Sequence, residues 1–181
     1  MSHFGPFMFE CGGYKAIALA LAILPECNLE LNITEIMAKL PHRYPMLLID
    51  RVLELVPQER IVAIKNVSAG DSFTHGIEGG AAPMPGTLIL EAMAQGAGLF
   101  SFAEEGAGKD DHERPEEAGT VYYFLGVDDA TFHQPVIAGD CLRLDVRALR
   151  LSRSICKYKG LAYVGDTLVA EATLLCAIRS R

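Results

Sequence analysis

Runs and alternations of apolar residues divide the chain into a preface and a domain. Residues 1–28 read as an N-terminal extension of unassigned role. Their longest apolar run, Ala16–Leu24, is nine residues, where a membrane-spanning helix needs about 20. Only Lys15 and His3 precede that run as positive charge, and no small-x-small cleavage site follows before Pro25. The run is therefore expected to be neither a membrane span nor a secretion signal. One domain is expected over residues 29–181. Asn32-Ile33-Thr34-Glu35 has capping-box spacing with Leu31 available as a staple, which predicts a short helix that ends near Leu40, before Pro41. Pro41-His42-Arg43-Tyr44-Pro45 predicts a rigid, non-helical segment. Met46–Val56 predicts a strand, Pro57–Arg60 a turn and Ile61–Val67 the returning strand. Residues 68–86, rich in glycine and proline, predict a shaped loop.

Thr87–Ala103 is the one long helical stretch, and it is apolar on every face. Such a helix must be wrapped by protein on most sides. Glu104–Gly119, dense in acids and glycine, predicts a solvated loop. Strands follow: Val121–Gly126, then Leu142–Arg150 in near alternation, then Ile155–Val164 and Thr167–Ile178 joined by the hairpin signal Gly165-Asp166. One buried helix against five or six antiparallel strands is an α+β layer architecture.

Composition narrows the class. The chain has 181 residues, 50% hydrophobic and 22% charged, with a formal net charge of −7. This is the size and make-up of a single globular domain. An acidic chain is a poor binder of nucleic acid. The five cysteines, at 11, 27, 141, 156 and 176, include no CxxC pair, which disfavours a disulfide scaffold or zinc site and fits a reducing cytoplasm. From Cys141 onward, eight basic residues stand against three acidic ones. A basic face on an acidic protein suits an acidic macromolecular partner; solvated faces of amphipathic strands explain the same charges.

Glu91 is the most informative residue. It is the only charge between Glu78 and Glu104 and lies inside the apolar helix, where an ionised carboxylate is costly unless paired. Gln95, four residues on, shares its helical face and is placed to orient it. Met84-Pro85-Gly86 precedes the helix, whose free N–H groups can polarise a carbonyl oxygen. The histidines are scattered. His3 and His112 read as surface residues, His42 lies in the proline-bracketed segment and His133 at a strand end. His75 is the stronger functional candidate, because its loop leads into the helix of Glu91.

These residues carry a resemblance. The segment 41–52 (PHRYPMLLIDRV), Lys65-Asn66-Val67-Ser68, Met84-Pro85-Gly86 with 88–95 (LILEAMAQ), and Gln134-Pro135-Val136 with Gly139-Asp140 resemble, in order over residues 31–178, the β-hydroxyacyl-acyl-carrier-protein dehydratases of bacterial fatty acid synthesis. The resemblance implies a hotdog fold, an antiparallel sheet wrapped round one long helix. It implies removal of water from a (3R)-3-hydroxyacyl thioester on acyl carrier protein, giving the trans-2-enoyl thioester. No metal and no cofactor are implied, the substrate riding on the carrier's phosphopantetheine arm. Homodimers or trimers of dimers are implied, with sites at the dimer interface, where a histidine takes the α-proton and a carboxylate protonates the departing hydroxyl. Glu91 falls on that carboxylate and Gly86 on the glycine whose N–H binds the thioester carbonyl. Tyr44, Ile77, Pro85 and Gln95 fall among the expected substrate-binding positions. Arg143, Arg147, Arg150, Arg153, Lys157 and Lys159 become candidates for docking the acidic carrier protein.

The chain departs from the family in one loop, where the histidine position is changed and the arginine-proline pair just after it is replaced by Ala81-Ala82. The family's histidine stands in a His-Phe-Pro-Gly stretch, 14 residues before the carboxylate, and that position falls on Ile77. Three readings stay open. His75 substitutes as the base; or the chain lacks activity alone and serves as the partner subunit of an active paralogue in a heterodimer; or Glu91 activates water alone, which would make the chain a hotdog acyl thioesterase.

Overall fold

The computed structural model describes residues 29–74, 82–105, 120–152 and 155–180. The expected capping box forms: the Asn32 side chain accepts from the Thr34 and Glu35 backbone N–H groups while Glu35 accepts from the Asn32 N–H. It starts helix α1, Ile33–Lys39, and the flanking Leu31 and Ile36 are both buried in the core. Strand β1 spans Arg51–Val56 and β2 Arg60–Asn66. The long helix α2 runs Gly86–Glu105, slightly beyond both predicted ends. Four strands follow: β3 Thr120–Phe132, β4 Cys141–Arg150, β5 Ile155–Val164 and β6 Thr167–Ser180.

The strands form one antiparallel sheet in the order β1-β2-β4-β5-β6-β3. Helix α2 packs across β2, β4, β5 and β6. Period-two alternation explains why that face is dry: Leu142, Leu144 and Val146 of β4 are fully buried and share one core with Met93 and Leu99 of α2. Helix and sheet approach closely at Gly160 of β5, where a Cβ would lie 2.7 Å from Met93 Sδ. A side chain at 160 would force Met93 to shift.

Two element boundaries differ from expectation for physical reasons. The first strand begins at Arg51 rather than Met46, because the backbone of residues 46 and 48 bonds to the Gln95 side chain instead of to a neighbouring strand. Strand β3 continues past Gly126 to Phe132, because the glycine and the Asp128-Asp129 pair are absorbed in two register shifts, with Asp129 at φ +51°. The Gly165-Asp166 hairpin forms as expected, with Gly165 at φ +57°. The extension 1–28, the loop residues 75–81 and the acidic residues 106–119 lie outside the described residues, as do the expectations placed on them.

Candidate active site on the central helix

The site is built from α1, the segment after it and the second turn of α2. Pro41 ends α1. Arg43 then folds back, its guanidinium donating to the carbonyls of Met37 (3.0 Å), Leu40 (2.9 Å) and His42 (2.7 Å). It thereby satisfies carbonyls that the helix end leaves open and pins the His42 backbone. The chain turns through Arg43–Met46, and Leu48 and Ile49 enter the core.

Gln95 ties this segment to α2. It is 2% exposed. Its Oε1 accepts from the Leu48 N–H at 3.0 Å, and its Nε2 donates to the Met46 carbonyl at 2.6 Å and to Glu91 Oε1 at 2.9 Å. The helical spacing that suggested Gln95 orients Glu91 is realised as that last bond.

Glu91 meets a second partner from the pinned segment: His42 Nε2 lies 3.3 Å from the same Oε1. Oε2 has no hydrogen-bond partner among the described residues. The hydrogen bond from His42 is the main influence that holds the Glu91 carboxyl below its ordinary value; burial opposes it, and the Gln95 bond and the His42 charge add to the lowering. Glu91 is thus an oriented carboxylate, ionised near neutrality.

The start of α2 is shaped by Phe132. A Cβ at Gly86 would lie 2.6 Å from the Phe132 ring, so the ring requires glycine there. The Met84 N–H bonds the Val136 carbonyl and the Pro85 carbonyl accepts from Leu88 and Ile89. The Gly86 and Thr87 N–H groups, in the first turn, have no intrahelical carbonyl to reach. Glu91 lies five helical steps after Gly86, about 7–8 Å along the axis.

The other expected residues distribute unevenly. Tyr44 is 85% exposed and Pro85 is exposed. His75, Ile77 and Arg153 lie outside the described residues. The basic candidates are mostly engaged: Arg147 bonds the buried Asp145, Lys159 pairs with Glu171 at 2.7 Å, Lys157 stands 3.9 Å from Asp128 and Arg143 lies 4.4 Å over the Tyr163 ring. His42 and Phe132 are the two residues that sequence reasoning passed over. For His42 the sequence signal was only its place between two prolines, which marks a rigid, non-helical segment but not what the side chain meets.

Sheet, helix and embedded carboxylate together define an α+β hotdog protein. Residues 40–173 match the family model described as the FabA-like domain. The chain belongs to that family. Among characterised relatives, the 3-hydroxyacyl-[acyl-carrier-protein] dehydratase FabZ of Bordetella pertussis is 57% identical over 152 residues, covering 84% of this chain and 98% of that protein. The FabZ of Variovorax paradoxus is 47% identical, covering 82% and 95%. Among solved structures, a chain of the dehydratase heterocomplex ApeI:P from Xenorhabdus doucetiae superposes with a TM-score of 0.64 at 17% identity, over 81% of this chain and 91% of that one.

Proposed function

We propose that the chain dehydrates (3R)-3-hydroxyacyl thioesters carried on acyl carrier protein in fatty acid synthesis, as its FabZ relatives are named for doing. The observation that carries this reading is Glu91, a carboxylate set in an otherwise apolar helix and oriented by two nitrogen donors. A group that must move protons next to an apolar acyl chain needs that combination. The N–H groups at Gly86 would polarise the thioester carbonyl and make the α-proton acidic enough to remove. The reaction moves only protons and water, so the reading calls for no cofactor.

The assembly we propose is a homodimer, or trimer of dimers, in the cytoplasm. Its support is β3, an edge strand of 13 residues on which Tyr123, Phe124, Leu125 and Phe132 are each about half exposed. A long apolar edge is a pairing surface unless covered, and a second copy would cover it. For carrier docking, Arg143, Arg150 and Lys157 are the better-placed candidates, because Arg147 and Lys159 are held by short intrachain ion pairs.

The test is intact-mass spectrometry of 3-hydroxyacyl carrier protein incubated with the purified chain. Loss of one water, abolished in Glu91→Gln, supports dehydration. Release of the acyl group would replace this reading with a thioesterase. No mass change would replace it with a subunit silent on its own.

A further inference from the structure

The resemblance places Ile77 where the family carries its histidine, so proton transfer at this site falls on Glu91 and depends on what orients it. The fold supplies an imidazole from elsewhere in the same chain. His42 reaches Glu91 Oε1 with Nε2, while its Nδ1 is buried without a hydrogen-bond partner among the described residues. A buried polar atom left unpaired is costly, and its retention calls for an explanation. With Nδ1 unpaired and Nε2 facing a carboxylate oxygen, the geometry assigns the proton to Nε2 as donor. Arg43 fixes the backbone behind it, and Gln95 holds the same Glu91 oxygen from the other side. Both donors converge on Oε1, which leaves Oε2 as the oxygen open to substrate.

We propose that Glu91 and His42 of one chain form the acid–base unit of this site, with Glu91 as the proton-transfer group for both halves of the elimination and His42 as the residue that positions it. This rests on the dehydratase reading and reverses the role the family resemblance gives the carboxylate. Glu91 Oε2 takes the C2 proton. The C2–H electron pair becomes the C2=C3 π bond, while the thioester carbonyl is polarised at the start of α2. The C3–O bond breaks with its pair on oxygen, and that oxygen takes from Glu91 the proton Glu91 has just removed. Water leaves, and Glu91 returns to the carboxylate with no other donor or acceptor consumed. Such transfer requires the hydrogen and hydroxyl on one face of the substrate, within reach of a single oxygen. A carboxylate held ionised by donors on its other oxygen is suited to begin as base. Among the described residues, Glu91 from α2 and the guanidinium of Arg43 on the same segment are the charged groups that contact His42.

The experiment is the pH dependence of kcat/KM for the full chain on a 3-hydroxybutyryl carrier protein, with Glu91→Gln, His42→Ala, His42→Gln and His75→Ala. Expected are a loss of at least about 10³-fold in Glu91→Gln and about 10²-fold in His42→Ala. The acid limb of the His42→Ala profile should move to higher pH, because Glu91 loses the bond that most lowers its pKa. A merely structural histidine would lower the rate without moving that limb. His42→Gln keeps an N–H donor and should recover about tenfold of the loss, which also separates chemistry from misfolding. His75→Ala should be unchanged. Full activity in His42→Ala, or loss in His75→Ala with an unmoved limb in the His42 variants, overturns this proposal and leaves the dehydratase reading intact. No water loss by the unmodified chain overturns both.

Discussion

Gln95→Leu isolates the hinge of the site. The substitution keeps roughly the side-chain volume and removes every polar atom. Three hydrogen bonds disappear: from the Leu48 N–H, to the Met46 carbonyl and to Glu91. Leu48 is 3% exposed, so its N–H is left orphaned at about 1–3 kcal/mol. Met46 is 43% exposed, so water can reach its carbonyl and that loss is smaller, about 0–1 kcal/mol. A leucine that fits regains up to about 1 kcal/mol of apolar burial. The net expectation is a loss of about 1–3 kcal/mol, or about 3–10 °C in Tm for a domain of this size.

Urea and thermal unfolding at fixed protomer concentration read this directly, since assembly makes Tm concentration-dependent. Gln95→Glu is the sharper companion. It keeps an acceptor for Leu48 but turns oxygen against the Met46 carbonyl and against Glu91. Its deficit should be largest near neutral pH and shrink as the pair takes up a proton on acidification. A stability loss under about 0.5 kcal/mol in Gln95→Leu would refute the view that this side chain fastens residues 46–48 to α2.

Other outcomes follow from the same geometry. Gly160→Val should cost about 1–3 kcal/mol by chemical denaturation, because its side chain meets Met93 Sδ within 2.7 Å at Cβ, and Met93→Ala should relieve part of that cost. Burial alone would raise Asp145, but hydrogen bonds from Arg60 and Arg147 hold it below its ordinary value. With the folded pKa depressed, its stabilisation is complete above the unfolded pKa near 3.9 and is lost as pH falls through the folded value; Asp145→Asn should lower stability at pH 7 by about 2–4 kcal/mol and flatten that acid dependence. Burial beside Cys156 pushes the Cys176 thiol up to about 11, so mass mapping after brief alkylation should find the exposed Cys141 modified and Cys176 untouched until the chain unfolds. Charge reversal at Arg143 and Arg150 together should weaken carrier-protein binding and flatten its salt dependence, whereas unchanged titrations would remove this face from the docking surface.

Glu91 was legible in the sequence because burial cost is a local argument: one charge in an apolar helix demands a partner or a purpose. Gln95 was legible because i and i+4 are fixed by helical geometry. His42 was not, since nothing in its neighbourhood says which element it will face. Its pairing depends on Arg43 closing the end of α1 and on Gln95 setting residues 46–48 against α2, contacts that span 49 positions in the case of the Met46 carbonyl. In the basic third, charge counting alone could not say which cations are engaged within the chain. Counting charges suggested a basic face, and the strand register sets Asp145 beside Arg147 and Glu171 beside Lys159.

The same contrast bears on the proposed site, whose histidine position falls by resemblance on Ile77. A catalytic loop can lose its histidine only if the remaining carboxylate is already oriented by groups outside that loop. Here the orientation of Glu91 comes from α2 through Gln95 and from the segment after α1 through His42, and neither partner belongs to residues 75–81. The carboxylate can therefore keep its geometry while the loop sequence changes. A site whose carboxylate was held by the loop histidine itself would lose both groups with one substitution. If the proposed roles hold, the chemistry rests on a helix residue, Glu91, oriented by Gln95 from α2 and by His42 from the segment after α1, and Glu91→Gln and the His42 variants, rather than loop variants, are the decisive substitutions.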